Sequence, residues 1–350
     1  MVSIKDIARA AQVSHSTVSR ALRNSPLVNI ETRALIHKLA GEAGYTVSAV
    51  GRSLVTKRTS TIGVVVTTIA DPFAGEVVSG IEEFALSHDY SVILAACHAD
   101  PDRELRAVHS LQERRVDGIL VMASRIGALY LPRLSGMKVP IVLINSHHPG
   151  EFVYSIRIDN VDGARLATKH LVDLGHRRIA YIGDRFGFQS DMERLTGYRE
   201  MLEETNPGFE ADLGFEPDLV AYGDGTPEGG RQAMLQLLSR AARPTAVFCY
   251  NDRMAIGAMR AVREQGLRVP RDVSIAGFDD LFLSSYTDPP LTTVRQPKRD
   301  MGVQAGEILL QLLAGEKPES RVTSGVLVVR ESTGPPRSAA SLRSAIRSHG

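Results

Sequence analysis

Polar side chains recur where apolar runs end. Thr67 and Thr68 follow TIGVVV, Asn145 follows VPIVLI, Asp159 follows SIRI and Asp184 ends RRIAYIGD; Asn251 with Asp252 follows TAVFCY, and Asp279 with Asp280 ends VSIAGFDD. Hydroxyls, amides and carboxylates gathered at such ends can donate to and accept from a hydroxyl-rich small molecule. Taken singly, each reads equally well as the cap of the next helix. A second group sits near the N-terminus: His15, Ser16, Ser19 and Arg20 are spaced to share the free face of one short helix. These residue types suit hydrogen bonding to base edges in a DNA major groove.

The elements that must position the second group are two short helices and a turn, within IKDIARAAQVSHSTVSRAL. Ile4, Ile7, Ala8 and Ala11 form one apolar stripe at i, i+3, i+4 and i+7; Gln12 and Val13 make the turn, and Ser14 is placed to cap the second helix. Val18, Ala21 and Leu22 are expected to face back. A third helix, capped by Asn29 and held inward by Leu35, Ile36, Leu39 and Ala43, would complete a small core. Charge supports this reading. Residues 1–60 carry nine Lys or Arg against three Asp or Glu, net +6, so a total of +1 leaves the remaining chain at −5. A basic module fused to an acidic body is the asymmetry expected of a protein that docks one end on phosphates.

From residue 60 onward, apolar runs alternate with amphipathic stretches: TIGVVVTTI, YSVILAA, VDGILVMA and VPIVLIN, then RRIAYIGD, TAVFCYND and VSIAGFDD. Strand and helix in alternation imply parallel sheets covered on both faces. The series occurs twice, at about 60–158 and 162–290, with SIRIDN and DPPLTTVRQP where the chain would cross between lobes. DMGVQAGEILLQLLAGE reads as a helix returning to the first lobe. At 350 residues with 43% apolar content the chain suits a small head plus a two-lobed body. Cys97 and Cys249, far apart inside apolar runs, read as buried free thiols, with neither a disulfide framework nor a metal site implied. No signal-peptide or membrane-spanning pattern occurs, which points to the cytoplasm. Phosphate-loop, zinc-protease and nucleophile-elbow motifs are missing, and GDGTPEGG lacks dinucleotide spacing, so no catalytic residue or cofactor is expected.

The ordered motifs IKDIARAAQVSHSTVSRAL, RSLVTKRTSTIGVVV, DPF, HLVDLGHRRIAYIGD, NDRMAIGAMRA, DVSIAGFDD and PPLTTVRQP make the chain resemble the lactose-repressor (LacI-type) family of bacterial transcription regulators over nearly its whole length. The resemblance implies an α/β protein: a helix-turn-helix head (1–47), a hinge helix and linker (48–59), a two-lobed core like the periplasmic sugar-binding proteins (60–333) and a tail (334–350). Within the core it divides lobe 1, about 60–158 and 294–322, from lobe 2, about 162–290 and 323–333. It further implies a homodimer on a pseudo-palindromic double-stranded operator, governed by a small effector such as a sugar. Repression is the family's commoner mode. Carried over by position, His15, Ser16 and Arg20 would read bases, Ser3, Thr17, Ser19 and Thr32 would contact phosphate, and Leu54 would wedge into the minor groove.

Thr67, Phe73, Asn145, Arg194, Asn251 and Asp279 occupy effector positions by the same resemblance, although Phe73 also reads as lobe packing and Arg194 with Asp279 as a structural ion pair. Several residues depart from the family pattern. Gln12 replaces the turn glycine, Arg23 a common asparagine and so a possible phosphate contact, Val47 the hinge proline, Gly51 a hinge alanine, and Asn145 an aspartate. A sugar-binding transport protein and a sugar-processing enzyme on a similar core are the competing readings. The first would need an export signal where the basic head stands, and the second a catalytic motif.

Overall fold

The structure is a computed structural model that describes residues 2–45, 58–122, 139–146, 154–205 and 217–337. Leu54, with Val47, Gly51 and most of the expected hinge, lies outside the described residues. The chain forms two units, Met1–Thr61 and Ile62–Gly350.

In the first unit, helices α1 (Ile4–Ala10), α2 (His15–Ala21) and α3 (Ile30–Glu42) enclose a core of Ile7, Ala8, Ala11, Val18, Ala21, Val28 and Ile36. Ser14 Oγ accepts from Thr17 N at 3.1 Å and Asn29 Oδ1 accepts from Thr32 N at 2.7 Å, so the two expected caps start α2 and α3. Leu35 departs from expectation. It is 45% exposed, and Ala40, one turn from Ile36, fills the inward position instead. The i, i+4 pair of Ile36 and Ala40 points at α1 and α2, whereas Leu35 lies about 100° away around the helix.

The second unit holds two six-stranded sheets. In chain order the first half supplies β1 (Thr61–Val66), α4 (Pro72–Ser87), β2 (Ser91–Ala96), α5 (Pro101–Glu113), β3 (Gly118–Met122), β4 (Ile141–Ile144) and β5 (Tyr154–Ile158). The second sheet is built with α6 (Asn160–Asp173), β6 (Ile179–Asp184), α7 (Gln189–Thr205), β7 (Val220–Gly223), α8 (Pro227–Leu238), β8 (Ala246–Cys249), α9 (Asp252–Glu264), β9 (Ser274–Asp279) and β10 (Thr292–Arg295). Helix α10 (Lys298–Leu313) then buries Met301, Ala305, Ile308 and Leu309 against Ile62, Val64 and Leu120 of the first sheet. Strand β11 (Arg321–Thr323) joins that sheet beside β5, and β12 (Val326–Val328) joins the second beside β10. The chain therefore passes between the sheets after β5, after β10 and between β11 and β12.

Strand order is β11-β5-β4-β3-β1-β2 in the first sheet and β12-β10-β9-β8-β6-β7 in the second. Two details differ from uniformly parallel, doubly buried strands. Strand β12 runs antiparallel to β10, as a short return to an edge can. Strand β2, at the other sheet's edge, leaves Ile93 and Leu94 37% and 46% exposed, because an edge strand of this sheet lacks full cover. Elsewhere the runs behave as expected: β3, β4, β6 and β9 are buried along their whole length. Cys97 and Cys249 are buried and free.

Candidate functional site

The head presents its polar residues from α2. His15, Ser16 and Arg20 are exposed, and Thr17 and Ser19 half-buried, because Val18 and Ala21 on the opposite side take the core contacts. Arg23 lies along this helix: its Nε donates to Ser19 O at 3.0 Å and its Nη2 to Ser19 Oγ at 3.1 Å. Ser3 is engaged at the start of α1, where its backbone N and hydroxyl both donate to Asp6 Oδ2, at 2.9 and 2.7 Å. That arrangement holds the Asp6 carboxyl below its ordinary range. Gln12 adopts φ 54°, so the turn keeps the left-handed geometry that a glycine would take without strain.

In the second unit, the carboxyl ends of both sheets face one cavity of about 400 Å³. Each sheet reverses its strand order beside this cavity, between β1 and β3 in one and between β6 and β8 in the other, and such switch points leave a crevice for ligand. Thr67, Thr68, Phe73, Met122 and Asn145 line it from the first sheet's side; Asp184, Phe186, Phe188, Arg194, Asn251 and Asp279 line it from the second. All six residues singled out from the sequence are thus brought to one cavity, from segments more than two hundred positions apart.

Local chemistry explains how each is held. Asn251 Oδ1 caps α9 by accepting from Met254 N at 2.8 Å while its Nδ2 donates to Gly225 O at 3.3 Å. Asp159 and Asp252, by contrast, are absorbed into structure. Asp159 caps α6, and fully buried Asp252 accepts from Leu281 N, Ser284 Oγ and Thr293 Oγ1 at 2.8, 2.6 and 2.5 Å. Burial pushes Asp252 up to about 6. Its three bonds brace the end of β9, where Asp279 and Asp280 take φ values of 123° and 50°. Lys298 Nζ adds to this brace by donating to both of their carbonyls at 2.7 Å. Backbone held in the left-handed region is strained, and such strain is concentrated at functional sites.

Arg194 and Asp279 form the centre. The Arg194 guanidinium is only 3% exposed, stands 3.7 Å from the centroid of the Phe278 ring, and donates from Nε to Asn160 Oδ1 at 2.9 Å and from Nη1 to Tyr250 O at 2.5 Å. Asp279 Oδ1 accepts from Gln296 Nε2 at 2.7 Å and lies 3.8 Å from Arg194 Nη1. Burial pushes the Asp279 carboxyl up to about 8, against the pull of Arg194. Both groups line the cavity, and their 3.8 Å separation becomes a full ion pair only when Asp279 has lost its proton. Asn145 takes φ 55° and its Nδ2 donates to Gln296 Oε1 at 3.3 Å, so one glutamine links both lobes' amide and carboxylate.

Sequence reasoning missed several lining residues. Asp71, which caps α4 from Phe73 N at 3.1 Å, lies 3.8 Å from Arg253 across the cavity; Phe186, Phe188, Tyr250 and Gln296 also line it. The DPF and NDR motifs, which hold Asp71 and Arg253, were visible, but nothing in their spacing showed that they meet.

Residues 3–48 match the family described as bacterial regulatory proteins, lacI family, and residues 168–333 match a periplasmic binding protein-like domain. The ribose operon repressor of Haemophilus influenzae is 38% identical over 336 residues, covering 95% of this chain and 98% of that protein. The chain belongs to the lacI family of bacterial regulatory proteins. The repressor CytR of Escherichia coli is 36% identical over 333 residues, 95% of this chain and 96% of its own. Among solved structures, the lac repressor dimer bound to operator and the anti-inducer ONPF aligns with a TM-score of 0.84 at 30% identity, over 95% of this chain and 99% of that one. As a lacI-family member the protein is a DNA-binding regulator of transcription with an effector-binding core, and its relatives are named repressors rather than enzymes. No described helix is long and apolar enough to cross a membrane.

Proposed function

We propose that this lacI-family regulator is a cytoplasmic homodimer that represses from a pseudo-palindromic operator and is switched by a small sugar or sugar derivative bound between its lobes. Residues 1–47 act as the reading head, 48–59 as the hinge, 60–333 as the two-lobed core and 334–350 as a tail. A twofold pair of heads suits a palindromic site. His15, Ser16 and Arg20 read base edges; Ser3, Thr17, Ser19, Arg23 and Thr32 fix the head on phosphates; Leu54 wedges into the minor groove.

The observation that carries the reading is the single cavity at which Thr67, Phe73 and Asn145 from one sheet meet Arg194, Asn251 and Asp279 from the other. A molecule hydrogen-bonded to both sides changes the angle between lobes, and so the operator affinity. Phe73 offers a flat apolar face to a sugar ring, and the polar groups offer donors and acceptors to its hydroxyls. A relative named for a ribose operon makes D-ribose a sensible first ligand. Thermal-shift screening of sugars, sugar acids and nucleobases, followed by operator binding with and without each hit, tests the proposal. A hit that raises the melting temperature yet leaves operator affinity unchanged would contradict the switch.

A further inference from the structure

Lys298 is a buried lysine with every donor engaged. It begins α10 behind the cavity, outside the lining, and is 4% exposed. An ammonium is costly to bury unless its three N–H donors are met. Two go to Asp279 O and Asp280 O, each at 2.7 Å, and the third faces Glu76 Oε2 of α4 at 3.4 Å. Successive carbonyls of an extended strand point to opposite sides, so one ammonium can hold both only where the backbone leaves that geometry. The φ values of 123° and 50° at Asp279 and Asp280 are that departure. The Asp279 side chain thus lines the cavity while its carbonyl is tied to Lys298 behind it.

On its other side Lys298 belongs to a rigid body. Helices α4 and α10 meet backbone to backbone: a Cβ on Gly80 would stand 2.1 Å from Arg299 O, and one on Gly302 would stand 2.2 Å from Val77 O. Two helices without room for a methyl group between them shift together. Both are embedded in the first lobe, where Met301, Ala305 and Leu309 of α10 share one core with Val77 and Ile81 of α4. Resting on the effector reading above, we propose that Lys298 is the positioning residue that passes a ligand's pull on Asp279 to the joined helices α4 and α10, and so couples occupancy of the cavity to operator affinity. Its two carbonyl bonds cross from one lobe to the other. Gln296 makes a parallel link from Asn145 to Asp279, but from within the lining; Lys298 can be altered without removing a lining group.

Lys298→Met keeps the apolar stem and removes the donors, while Lys298→Gln keeps a shorter neutral amide. D-ribose, D-galactose and D-glucose are titrated calorimetrically into the full chain. Operator affinity is then read by anisotropy with and without the sugar that binds, on a duplex selected with the unaltered protein. The two operator affinities are expected to differ by about 5- to 150-fold, in either direction, in the unaltered protein and by about twofold or less in Lys298→Met. A lysine that served stability alone would lower the melting temperature when replaced and leave that ratio where it was. Should Lys298→Met melt early, Lys298→Gln carries the same comparison. An unchanged ratio in the variant that folds overturns the role of Lys298 and leaves the effector reading standing. A sugar that binds yet leaves the unaltered protein's ratio at one overturns the switch itself, and failure of all three to bind overturns the sugar reading; this inference falls with either.

Discussion

At the scale of single residues, Gln12 and Asp279 sit in costly states for opposite reasons. A non-glycine residue in the left-handed region costs about 1–2 kcal/mol, and glycine returns about 0.5–1 kcal/mol of that through its freer unfolded chain. Gln12→Gly should therefore stabilise the head by roughly 0.5–1 kcal/mol. Slower amide exchange across α1 to α3 in the full chain is the measurement, and unchanged exchange would mean the turn is unstrained. For Asp279 the cost is burial. Its carboxyl is pushed up to about 8 by burial when folded, against about 3.8 for an ordinary aspartate, so the folded state holds the extra proton between those values. Its contribution to stability is complete below the lower value and is lost as pH rises through the higher one. Core melting temperature should fall between pH 5 and pH 9, and Asp279→Asn should flatten that fall while weakening effector binding. A variant that keeps the slope would assign it to other groups.

At the scale of elements, α8 and α9 carry Thr226, Asn251 and Arg253 to the cavity, and their separation is set by Gly257. A Cβ there would stand 1.7 Å from Pro227 O, a backbone atom that cannot yield without moving the helix. Gly257→Ala should destabilise the core by about 1–3 kcal/mol, as overpacking does, and lower effector affinity with it. Denaturant melts of the variant check this; a cost below 0.5 kcal/mol, roughly that of a neutral surface change, would show the helices free to separate. On the head, Arg20 projects freely from α2, whereas Arg23 is tied to Ser19. Arg20→Ala should cost about 1–3 kcal/mol on operator only, if its contact is bidentate. Arg23→Ala should weaken all sequences alike and lower the salt slope by about one. Equal losses on operator and random DNA for both variants would undo the division of roles.

At the scale of the whole molecule, the reader and the switch belong to separate units. Removing residues 1–58 should abolish operator binding and leave ligand affinity within about threefold, the spread expected when no shared partner is lost. Anisotropy on operator DNA and calorimetry on the truncated core decide it; loss of ligand binding would place part of the pocket's support in the head. In the intact regulator, linkage demands reciprocity. Whatever factor the ligand applies to operator affinity, the operator must apply to ligand affinity, typically about 5- to 150-fold.

What the sequence determined by itself were the features encoded within one turn or one strand: the caps Ser14 and Asn29, the apolar stripe of α1, the buried runs, and the polar residues that end them. These follow from spacing of 3.6 or 2 and from side chains bonding to neighbouring backbone, so they need no distant partner. Leu35 was misassigned because a third helix's facing direction depends on the other two. Only the tertiary structure decided that Asp252 is a brace while Asp279 faces the cavity, since the two carboxylates differ in which loop packs on them and not in local sequence. It alone placed Asp71 beside Arg253, a pair separated by 182 positions along the chain. Contacts of that span arise from how two sheets close over a shared cleft, and no local pattern records them.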